Sequence, residues 1–407
     1  MQGQNTGTTS IVGGSYIECC SQYDRKELFG SGLRALSVFH AFDKNFPVTF
    51  ITCTGSQAKF IEARYNTDNT TLSIYKTAND VAFYYEHPFR LMQITPRMDL
   101  LYQDRLLLMT ESDNILVFGM VEADFCVKGK KVVYDPQTCV LPQSFKNSKS
   151  TAEQLVFCLN SHEAKAMTGC DTLENQRNSL FNTENCTALI IKDGSHGAYV
   201  FESIDDPGTN IPVFMTNHVC SIGSGDVFSS SFAYFWFNGY SIQDSAQLAS
   251  KSVACFVESG KTNTIPKMLD EFHFPPLITS QRRQIYLAGP FFSYSQRWLV
   301  NEFYNALKQE ENPIFSPLHD VGIGNAEDVT DPDIKGLEES SVILAIVEGL
   351  DSGTLFEVGY AVAKGKTVIA YTQNETEKAL QMLKGTHCIL ETDFTTAIYK
   401  AIWYASK

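Results

Sequence analysis

Short apolar runs alternate with helix-like stretches along the first two-thirds of the chain. The runs are "SIVGGSYIECC", "VTFITCTG", "NILVFGMV", "KVVYD", "QLVFCLN", "ALIIKDG" and "GAYVFE". Strands that are separated by helical patterns of ten or more residues are typical of a mainly parallel sheet in an α/β fold. The piece "LSIYKTANDVAFYYEHPF" alternates apolar and polar positions, which fits an antiparallel addition to that sheet.

Two helices are predicted next, one from Asp226 to about Phe237 and one from Ile242 to a C-capping Gly260. The stretch "DEFHFPPLITSQRRQ" follows with two prolines and no clear period, and it indicates a linker between domains. We therefore predict a first domain over residues 1–275 and a linker over residues 276–283.

A second α/β pattern occupies residues 284–407. It passes through "QIYLAGPFF", "SQRWLVNEFYNALKQEE", "PIFSPL", "DIKGLEES", "SVILAIVEGL", "TLFEVGYAVAKG" and "KTVIAYT", and it closes with an amphipathic helix over "ETDFTTAIYKAIWYASK". The pattern predicts a small doubly wound parallel sheet of the flavodoxin or Rossmann type. The predicted fold class is therefore α/β, with a three-layer first domain and a smaller second one.

Composition narrows the range of partners. A formal net charge of -14 and a pI near 5.0 argue against nucleic acid or an anionic membrane as the main partner. Phosphate ligands remain open, because glycine loops and helix N-termini bind anions through backbone N–H groups. The eleven scattered cysteines show no C-x-x-C spacing, and no segment resembles a signal peptide or a membrane span, so a cytoplasmic protein with reduced thiols is predicted.

The hexapeptide "SIGSGD" at residues 221–226 is the first candidate for chemistry. Gly223 and Gly225 lack side chains, so the backbone is free to turn and to direct its N–H groups at a phosphate oxygen. Asp226 then opens a helix, where a carboxylate is able to accept a proton from an acceptor hydroxyl. The alternative is a plain glycine turn with Asp226 as the helix N-cap, and the hexapeptide alone favours it.

Six segments in order shift that balance, because together they resemble the ribokinase-like (PfkB) family of sugar and nucleoside kinases over about residues 8–275. They are "SIVGGSY", "LFGSGLRALSVFHAF", "VVYDPQT", "LNSHEAKAMTG", "ALIIKDGSHGAYVF" and "SIGSGDVFSSSF". The resemblance implies that Asp226 is the base and that Glu163 lies near Mg²⁺, which it contacts indirectly. It also implies a set of residues that bind ATP or its phosphates, namely Asn160, Lys192, Gly194, Gly197, Gly223, Ser224 and Gly225.

The side of the acceptor departs from this family. Glu18 stands where the family has an aspartate that holds sugar hydroxyls, and Arg34 stands where it has an asparagine. The interval from Glu18 to Gly30 is short, which leaves little room for the usual lid. Arg34 suits a phosphate or carboxylate better than a neutral sugar, unless it is a solvated helix residue. An active kinase with an unusual acceptor and a domain that binds nucleotide without turnover both remain open.

The second domain carries carboxylates at its predicted sheet edge. Asp351 and Glu357 flank the start of one helix, Asp333 precedes another, and Tyr286 lies in the opening run "IYLAGPFF". Such a set is suited to N-glycosidic chemistry, in which one carboxylate attacks the anomeric carbon and another acid protonates the departing base. Helix-capping surface acids are the alternative, and for Asp333 alone that reading is favoured. Glu357 lies in an otherwise apolar helical face, where a carboxylate is unfavourable unless it has a function. A catalytic role is therefore favoured for Glu357.

Residues 283–372 closely resemble the nucleoside 2-deoxyribosyltransferase family through "IYLAGPFF", "FSPLHD", "DIKGLEESSVILAIV" and "DSGTLFEVGYAVAKGKTVIAY". The resemblance implies Glu357 as the nucleophile and Asp333 and Asp351 as groups that contact and protonate the base. It further implies a substrate pocket formed with Tyr286, Gly289 and Phe291. Ser341 replaces an aspartate usual in the family, and no match is evident after "VIAYT", so transfer and hydrolysis both remain open.

Two functions follow as hypotheses. The first is a bifunctional enzyme of nucleoside metabolism whose kinase domain uses ATP and Mg²⁺ and whose second domain, without a cofactor, cleaves or transfers at the N-glycosidic bond. The second is a degenerate kinase domain that senses a nucleotide and gates a nucleotide-depleting glycosidase. A non-catalytic binding protein is a third alternative. Both family resemblances imply a homo-oligomer, and the expected partners are a nucleoside or nucleotide and ATP.

Overall fold

The structure is a computed structural model that describes residues 7–103, 105–137, 142–278 and 281–407. Its chain forms two compact units. The first comprises the described residues up to Phe214 together with Ser221–Phe274, and the second comprises Met215–Cys220 and the described residues of Pro275–Lys407. The short segment 215–220 therefore joins the second unit, although the chain on either side of it belongs to the first.

The first unit contains an α/β sheet and a smaller separate sheet. Its strands are β1 (Thr9–Val12), β2 (Tyr16–Cys20), β3 (Arg25–Phe29), β4 (Val48–Thr54), β5 (Thr70–Lys76), β6 (Ala82–Tyr85), β7 (Gln93–Thr95), β8 (Leu106–Phe118), β9 (Ala123–Asp135), β10 (Thr151–Asn160), β11 (Ala188–Lys192), β12 (Ala198–Phe201) and β13 (Thr209–Ile211). Its helices are α1 (Gly30–Phe42), α2 (Ala58–Tyr65), α3 (Met98–Leu101), α4 (Ser161–Thr168), α5 (Leu173–Glu184), α6 (Ser224–Phe237), α7 (Ile242–Ser259) and α8 (Ile265–Asp270).

The large sheet has nine strands in the order β13-β12-β11-β10-β9-β8-β1-β4-β5. All neighbours are parallel except at β11–β12 and β12–β13. The strands β1, β4 and β11 are almost wholly buried, as expected of parallel strands that are covered on both faces. The predicted α/β class and the predicted helices α6 and α7, including the left-handed C-cap at Gly260, are confirmed.

Helices do not separate all the strands, which corrects one expectation. Only residues 119–122 join β8 to β9, yet the two strands pair in parallel with Leu106 opposite Ala123 and Phe118 opposite Asp135. Four connecting residues span at most about 18 Å, whereas a straight 13-residue strand is about 40 Å long. Both strands must therefore bend back on themselves, and the ladder is interrupted where Asp113 and Lys130 form an ion pair.

The smaller sheet has four strands in the order β3-β2-β6-β7. The short interval after Glu18 argued against a lid, but this interval forms the β2–β3 hairpin, and β6 and β7 supply the other two strands. The alternating segment predicted as one addition is divided, because β5 pairs in parallel with β4 in the large sheet and β6 pairs with β2 in the small one. The rings of Tyr16 and Phe83 pack against each other on this sheet at 4.9 Å between centroids.

The second unit is a five-stranded parallel sheet in the order β15-β14-β16-β17-β18. Its strands are β14 (Ile285–Ala288), β15 (Ile314–Phe315), β16 (Val342–Ile346), β17 (Thr367–Tyr371) and β18 (Ile389–Glu391). Its helices are α9 (Tyr294–Gln309), α10 (Ala326–Glu339), α11 (Ser352–Ala363), α12 (Gln381–Gly385) and α13 (Phe394–Ala405). The predicted doubly wound parallel sheet and the closing helix α13 are confirmed, whereas β18 and α12 had no counterpart in the sequence pattern.

The helices of the second unit hold the sheet edge that carries its candidate site. The central strand β16 is buried at every position, and α11 and α13 both pack on β16 and β17. Trp403 on α13 is 1% exposed and is the largest fully buried side chain among the described residues. No helix within the described ranges is long and apolar enough to cross a membrane.

We expect Trp403→Ala to lower the free energy of unfolding of the second unit by about 3–5 kcal/mol, because it removes a large buried side chain and leaves a cavity. The neighbouring Tyr404 is only half-buried and its ring faces Lys407, so Tyr404→Ala is the matched control, with an expected loss within about 1 kcal/mol. Denaturant unfolding followed by circular dichroism measures both. Equal losses would contradict this account of the core.

Candidate functional site

A cleft of about 300 Å³ lies in the first unit, where α6 begins and where strands of both sheets end. Its polar lining includes Glu18, Arg34, Gln137, Asn160, Glu163 and Asp226, and the rings of Phe83 and Tyr85 contribute from the small sheet. The structure therefore brings the predicted base, the predicted acceptor residues and the predicted magnesium-side residues into one cavity. Gly223 and Gly225 also line it.

Asp226 lies at the third position of α6 and is 8% exposed. Its Oδ2 accepts a hydrogen bond from Nη1 of Arg34, and its Oδ1 accepts one from the amide of Gln137. Burial raises the pKa of Asp226, the Arg34 charge lowers it, and the charge of Glu18 raises it, with a net increase above the ordinary aspartate value. Both oxygens of the predicted base are thus engaged by side chains of the protein.

Arg34 is buried, which corrects the alternative that it is a solvated helix residue. It is 1% exposed on α1, and its Nη2 donates to Oε2 of Glu18 at 2.5 Å. The ring of Phe29 lies 5.0 Å from its Cζ. Burial lowers the pKa of Arg34, but the charges of Glu18 and Asp226 raise it above its ordinary value. Oε1 of Glu18 also accepts the backbone N–H of Gly30 at 3.0 Å, so the carboxylate is held at both ends.

Gly223 is required for two reasons. It is the N-cap of α6 with a φ of 82°, a left-handed conformation that favours glycine. A methyl group on its Cα would also fall 2.3 Å from Cζ and Nε of Arg34. The guanidinium therefore lies directly against the backbone turn that sequence reasoning assigned to a phosphate. Ser224 is the first residue of α6 and is half-buried.

Lys192 forms a buried ion pair beneath the same turn. Its Nζ donates to Oδ2 of Asp135 at 2.7 Å, and Asp135 is fully buried and also accepts from Ser229 at 2.6 Å. Burial lowers the pKa of Lys192, whereas Asp135 raises it, and the net direction is upward. Nζ of Lys192 lies 3.7 Å from the position that a Cβ on Gly225 would occupy. The positive charge of Lys192 is therefore close to the glycine turn.

The remaining residues predicted to bind ATP or Mg²⁺ are divided. Asn160 caps α4 in a capping box with Glu163, and both line the cleft. Burial and Asp135 raise the pKa of Glu163, Lys192 lowers it, and the result is about 7. Gly194 and Gly197 flank a 3₁₀ turn and do not belong to the described lining of the cavity.

ATP and Mg²⁺ fit the donor set of this cleft. The glycine turn, the N-terminus of α6 and Lys192 suit phosphates, and the carboxyl of Glu163 in the cleft lining suits a hydrated cation held through water. The described residues contain no group of three or more His, Cys, Asp or Glu side chains that could hold a metal ion together.

The second site lies at the edge of the sheet of the second unit, where β14 and α11 meet. The hydroxyl of Tyr286, at the second position of β14, donates to Oε1 of Glu357 at 2.6 Å. Glu357 lies on α11 and is mostly buried. Burial raises its pKa, the hydrogen bond from Tyr286 lowers it, and the charges of Asp333 and Asp351 raise it, with a result of about 7.

The other two acids take different positions. Asp351 is the N-cap of α11, and its Oδ2 accepts from the backbone N of Thr354 at 2.9 Å and from its hydroxyl at 3.1 Å. Asp333 lies inside α10 and not before a helix, which corrects the sequence interpretation. Its Oδ1 is buried and has no hydrogen-bond partner among the described residues, and burial raises its pKa to about 6.

The predicted pocket residues lie nearby in sequence and differ in exposure. Gly289 follows β14, and a Cβ on it would contact Ile346 and Val300 at 3.2 Å, so close packing explains the glycine. Phe291 is half-buried, and its ring stacks on the more exposed Phe292 at 5.3 Å between centroids. Ser341 precedes β16 and pairs through its backbone N–H with the carbonyl of Gln284.

Sequence reasoning missed several buried polar residues of the first unit. Asp135 is the last residue of β9, and Gln137 follows it. Their position at the end of an apolar run is the sequence signal that places them at the edge of a sheet. Tyr16 donates to Oε2 of Glu122 at 2.8 Å, and burial raises the pKa of Glu122 to about 7. Nothing in the local pattern marked Glu122, because its partner is more than a hundred residues away.

Comparison with known families agrees with this division of the chain. The model of the pfkB family of carbohydrate kinases matches residues 51–268, which is more than half of the chain, and the chain belongs to that family. The model of the nucleoside 2-deoxyribosyltransferase family matches residues 285–391. Both resemblances stated from sequence are thereby confirmed, together with the ribokinase-like fold class. The second match extends past "VIAYT", where sequence reasoning had found none.

Several solved structures are similar to the first two-thirds of the chain. A ribokinase from Thermotoga maritima is 16% identical, with 65% of this chain and 99% of that one covered and a TM-score of 0.46. A fructokinase from Vibrio cholerae O395 is 13% identical, with 63% and 95% covered and a TM-score of 0.47. A nucleoside kinase from Methanocaldococcus jannaschii is 14% identical, with 66% and 100% covered and a TM-score of 0.47. A comparison with curated protein sequences found no match.

The environment of Glu357 gives two opposite expectations for its pKa. Tyr286→Phe removes a hydrogen bond that stabilises the carboxylate, so the pKa of Glu357 should rise above about 7. Asp333→Asn removes a negative charge, so the pKa should fall. Titration of ¹³C-labelled glutamate carboxyls by NMR measures both, and Glu357→Gln assigns the signal. Shifts in the same direction would contradict the described geometry.

Proposed function

We propose that the chain is an enzyme of nucleoside metabolism that carries two chemistries. Its second unit breaks the N-glycosidic bond of a nucleoside with Glu357 as the nucleophile, and its first unit binds ATP and phosphorylates a nucleoside or sugar. The contact between Tyr286 and Glu357 carries the first part of this proposal. A buried carboxylate oriented by a phenol at a sheet edge, with further acids beside it, has the form of a glycosyl-accepting site.

The glycosidic step balances with the residues present. Ionised Glu357 attacks the anomeric carbon, the C–N bond breaks, and its electron pair goes to the base nitrogen. Asp333, whose buried Oδ1 has no hydrogen-bond partner among the described residues, supplies the proton to the departing base. Water then cleaves the glycosyl ester and releases the free sugar, or a second base takes the sugar from Glu357. Transfer and hydrolysis share this first step.

The charges of this site favour a neutral nucleoside over a nucleotide. Asp333 and Asp351 both raise the pKa of Glu357, and no cation of the described residues contributes to it. A phosphate group placed beside Glu357 and Asp351 would be repelled, since the partly buried site screens charge weakly. The uncharged sugar and base of a nucleoside avoid this cost.

We expect Glu357→Ala to abolish release of free base from a nucleoside panel, because no covalent glycosyl ester can then form. Glu338→Gln is the matched control, since Glu338 is an exposed carboxylate on α10 that pairs with Lys364. Mass spectrometry of the products measures both variants. Base release that persists in Glu357→Ala would show that another group attacks the sugar.

For the first unit, we expect Asp226→Asn to reduce phosphoryl transfer from ATP by at least about a hundredfold, the usual contribution of a general base. Base release by the second unit should continue in this variant. The same substitution at the exposed Asp68 serves as the control and should leave both rates unchanged. ADP formation with a nucleoside or sugar acceptor is the measurement, and an unaffected rate would remove Asp226 from the mechanism.

A second candidate function is favoured by one observation, the engagement of both Asp226 oxygens by Arg34 and Gln137. In this alternative the first unit binds a nucleotide without turnover and regulates a glycosidase that depletes a nucleotide pool. It requires base-release rates that respond to added nucleotide while no ADP forms. ADP formation that depends on an acceptor would exclude it.

A further inference from the structure

The cleft of the first unit contains a cation in an unusual position. The guanidinium of Arg34 contacts three features at once: the carboxylate of Asp226, the carboxylate of Glu18 and the backbone of Gly223. Gly223 begins the turn that, on the proposed function, receives a phosphate. Arg34 therefore stands between the candidate base and the candidate phosphate position, within contact distance of both.

The three side chains together carry one net negative charge in a buried site. A buried guanidinium must keep charged partners, because leaving it unpaired is strongly unfavourable. Its partner does not have to be Asp226, however. Glu18 has a second anchor in the backbone N–H of Gly30 and Asp226 has one in the amide of Gln137, but only Asp226 lies on the same helical turn as the Gly223 backbone. Of the two carboxylates, Asp226 is therefore the one that a ligand at Gly223 can replace.

Phosphate is the ligand class that suits this replacement. A phosphate group offers several anionic oxygens to the planar guanidinium fork and binds it in bidentate fashion, more strongly than a single carboxylate oxygen does. Lys192 beneath Gly225 adds a second positive charge toward the same turn. A neutral hydroxyl ligand provides no charge to replace that of Asp226 and would leave the ion pair intact.

We propose that Arg34 exchanges anions: a phosphate group that enters the cleft replaces the carboxylate of Asp226 on the guanidinium and so releases Asp226 to face an acceptor hydroxyl. This inference rests on the proposed function of the first unit, namely that its cleft receives a phosphate-bearing ligand. No covalent bond changes in the exchange, which swaps one ion pair for another. Arg34 is thus a specificity-determining residue that makes the availability of the base depend on a bound phosphate.

The experiment measures binding of inorganic phosphate to the full chain at pH 8 by isothermal titration calorimetry. Asp226→Asn removes the competing charge from Arg34 and should tighten phosphate binding by about tenfold or more. Glu163→Gln is the matched control, because it removes another carboxylate from the same cleft, and glutamine preserves the capping box with Asn160. A general effect of removing a carboxylate from the cleft would therefore appear in both variants.

The role of Arg34 is isolated by the double variant Arg34→Gln/Asp226→Asn, which should bind phosphate no more tightly than the unchanged protein. Equal tightening in Asp226→Asn and Glu163→Gln would overturn the exchange, and so would tightening that survives the loss of Arg34. The absence of measurable phosphate binding in all variants would also overturn it. If the double variant does not fold, the comparison of Asp226→Asn with Glu163→Gln decides the matter with Arg34 in place.

Two sources of phosphate are distinguished by further titrations. If the terminal phosphate of ATP makes the exchange, Asp226→Asn tightens a non-hydrolysable ATP analogue but not ADP. If a phosphorylated acceptor makes it, Asp226→Asn tightens a nucleoside monophosphate in the presence of ADP. If the nucleotides bind but Asp226→Asn tightens neither the ATP analogue nor the nucleoside monophosphate, the exchange is rejected and the nucleotide-binding role stands. A lack of binding by every nucleotide would reject the proposed function of the first unit as well.

Discussion

The first unit is organised around one constraint, the burial of a guanidinium that stays charged at every accessible pH. Arg34 is 1% exposed, so its charge has to be compensated by side chains in the same place. Glu18 comes to it from the small sheet and Asp226 from the start of α6. The same guanidinium fixes Gly223, since any larger residue would overlap it. The small sheet, α1 and the glycine turn at the start of α6 therefore meet at a single ion-paired group.

The two candidate sites treat a buried carboxylate in opposite ways. In the first unit, Asp226 is bound by a permanent cation and an amide, so its reactivity depends on what replaces these partners. In the second unit, Glu357 has a neutral phenol as its partner, and burial together with the neighbouring carboxylates raises its pKa to about 7. A phenol orients the carboxylate without removing its charge. On the proposed functions, the second site therefore holds its nucleophile ready for reaction, whereas the first requires an exchange of partners.

Sequence reasoning reached the classes of element and the two family resemblances because these depend on local pattern. The buried runs of β11 and β16, the helix that follows Asp226 and the closing helix α13 were all visible as hydrophobic periodicity. The bent strands β8 and β9 were not visible, because an apolar run does not reveal whether a helix or a four-residue turn follows it in space. The small sheet was missed for a similar reason, since its strands come from two separate parts of the chain.

Side-chain environment was harder to predict than fold. The sequence did not decide whether Arg34 binds a ligand or is solvated, because its two partners are 16 and 192 residues distant along the chain. Asp333 lies inside a helix with an unpartnered buried oxygen, a state that no local sequence signal specifies. Glu357 was the easier residue, since a lone acid within an apolar helical face is costly unless it is used. Local pattern locates such an anomaly, but only tertiary contacts decide how its charge is balanced.

The balance of charge also separates the ligands of the two sites. The first cleft contains Arg34 and lies above Lys192, so it pairs two cations with its carboxylates and tolerates a phosphate. Around Glu357 the described charges that act on the carboxylate are negative, and a phosphate there would add to the repulsion. On the proposed functions, a phosphorylated nucleoside is then a poor substrate for the second unit. Phosphorylation would withdraw a nucleoside from cleavage, so the two activities compete for one neutral substrate and do not act in series.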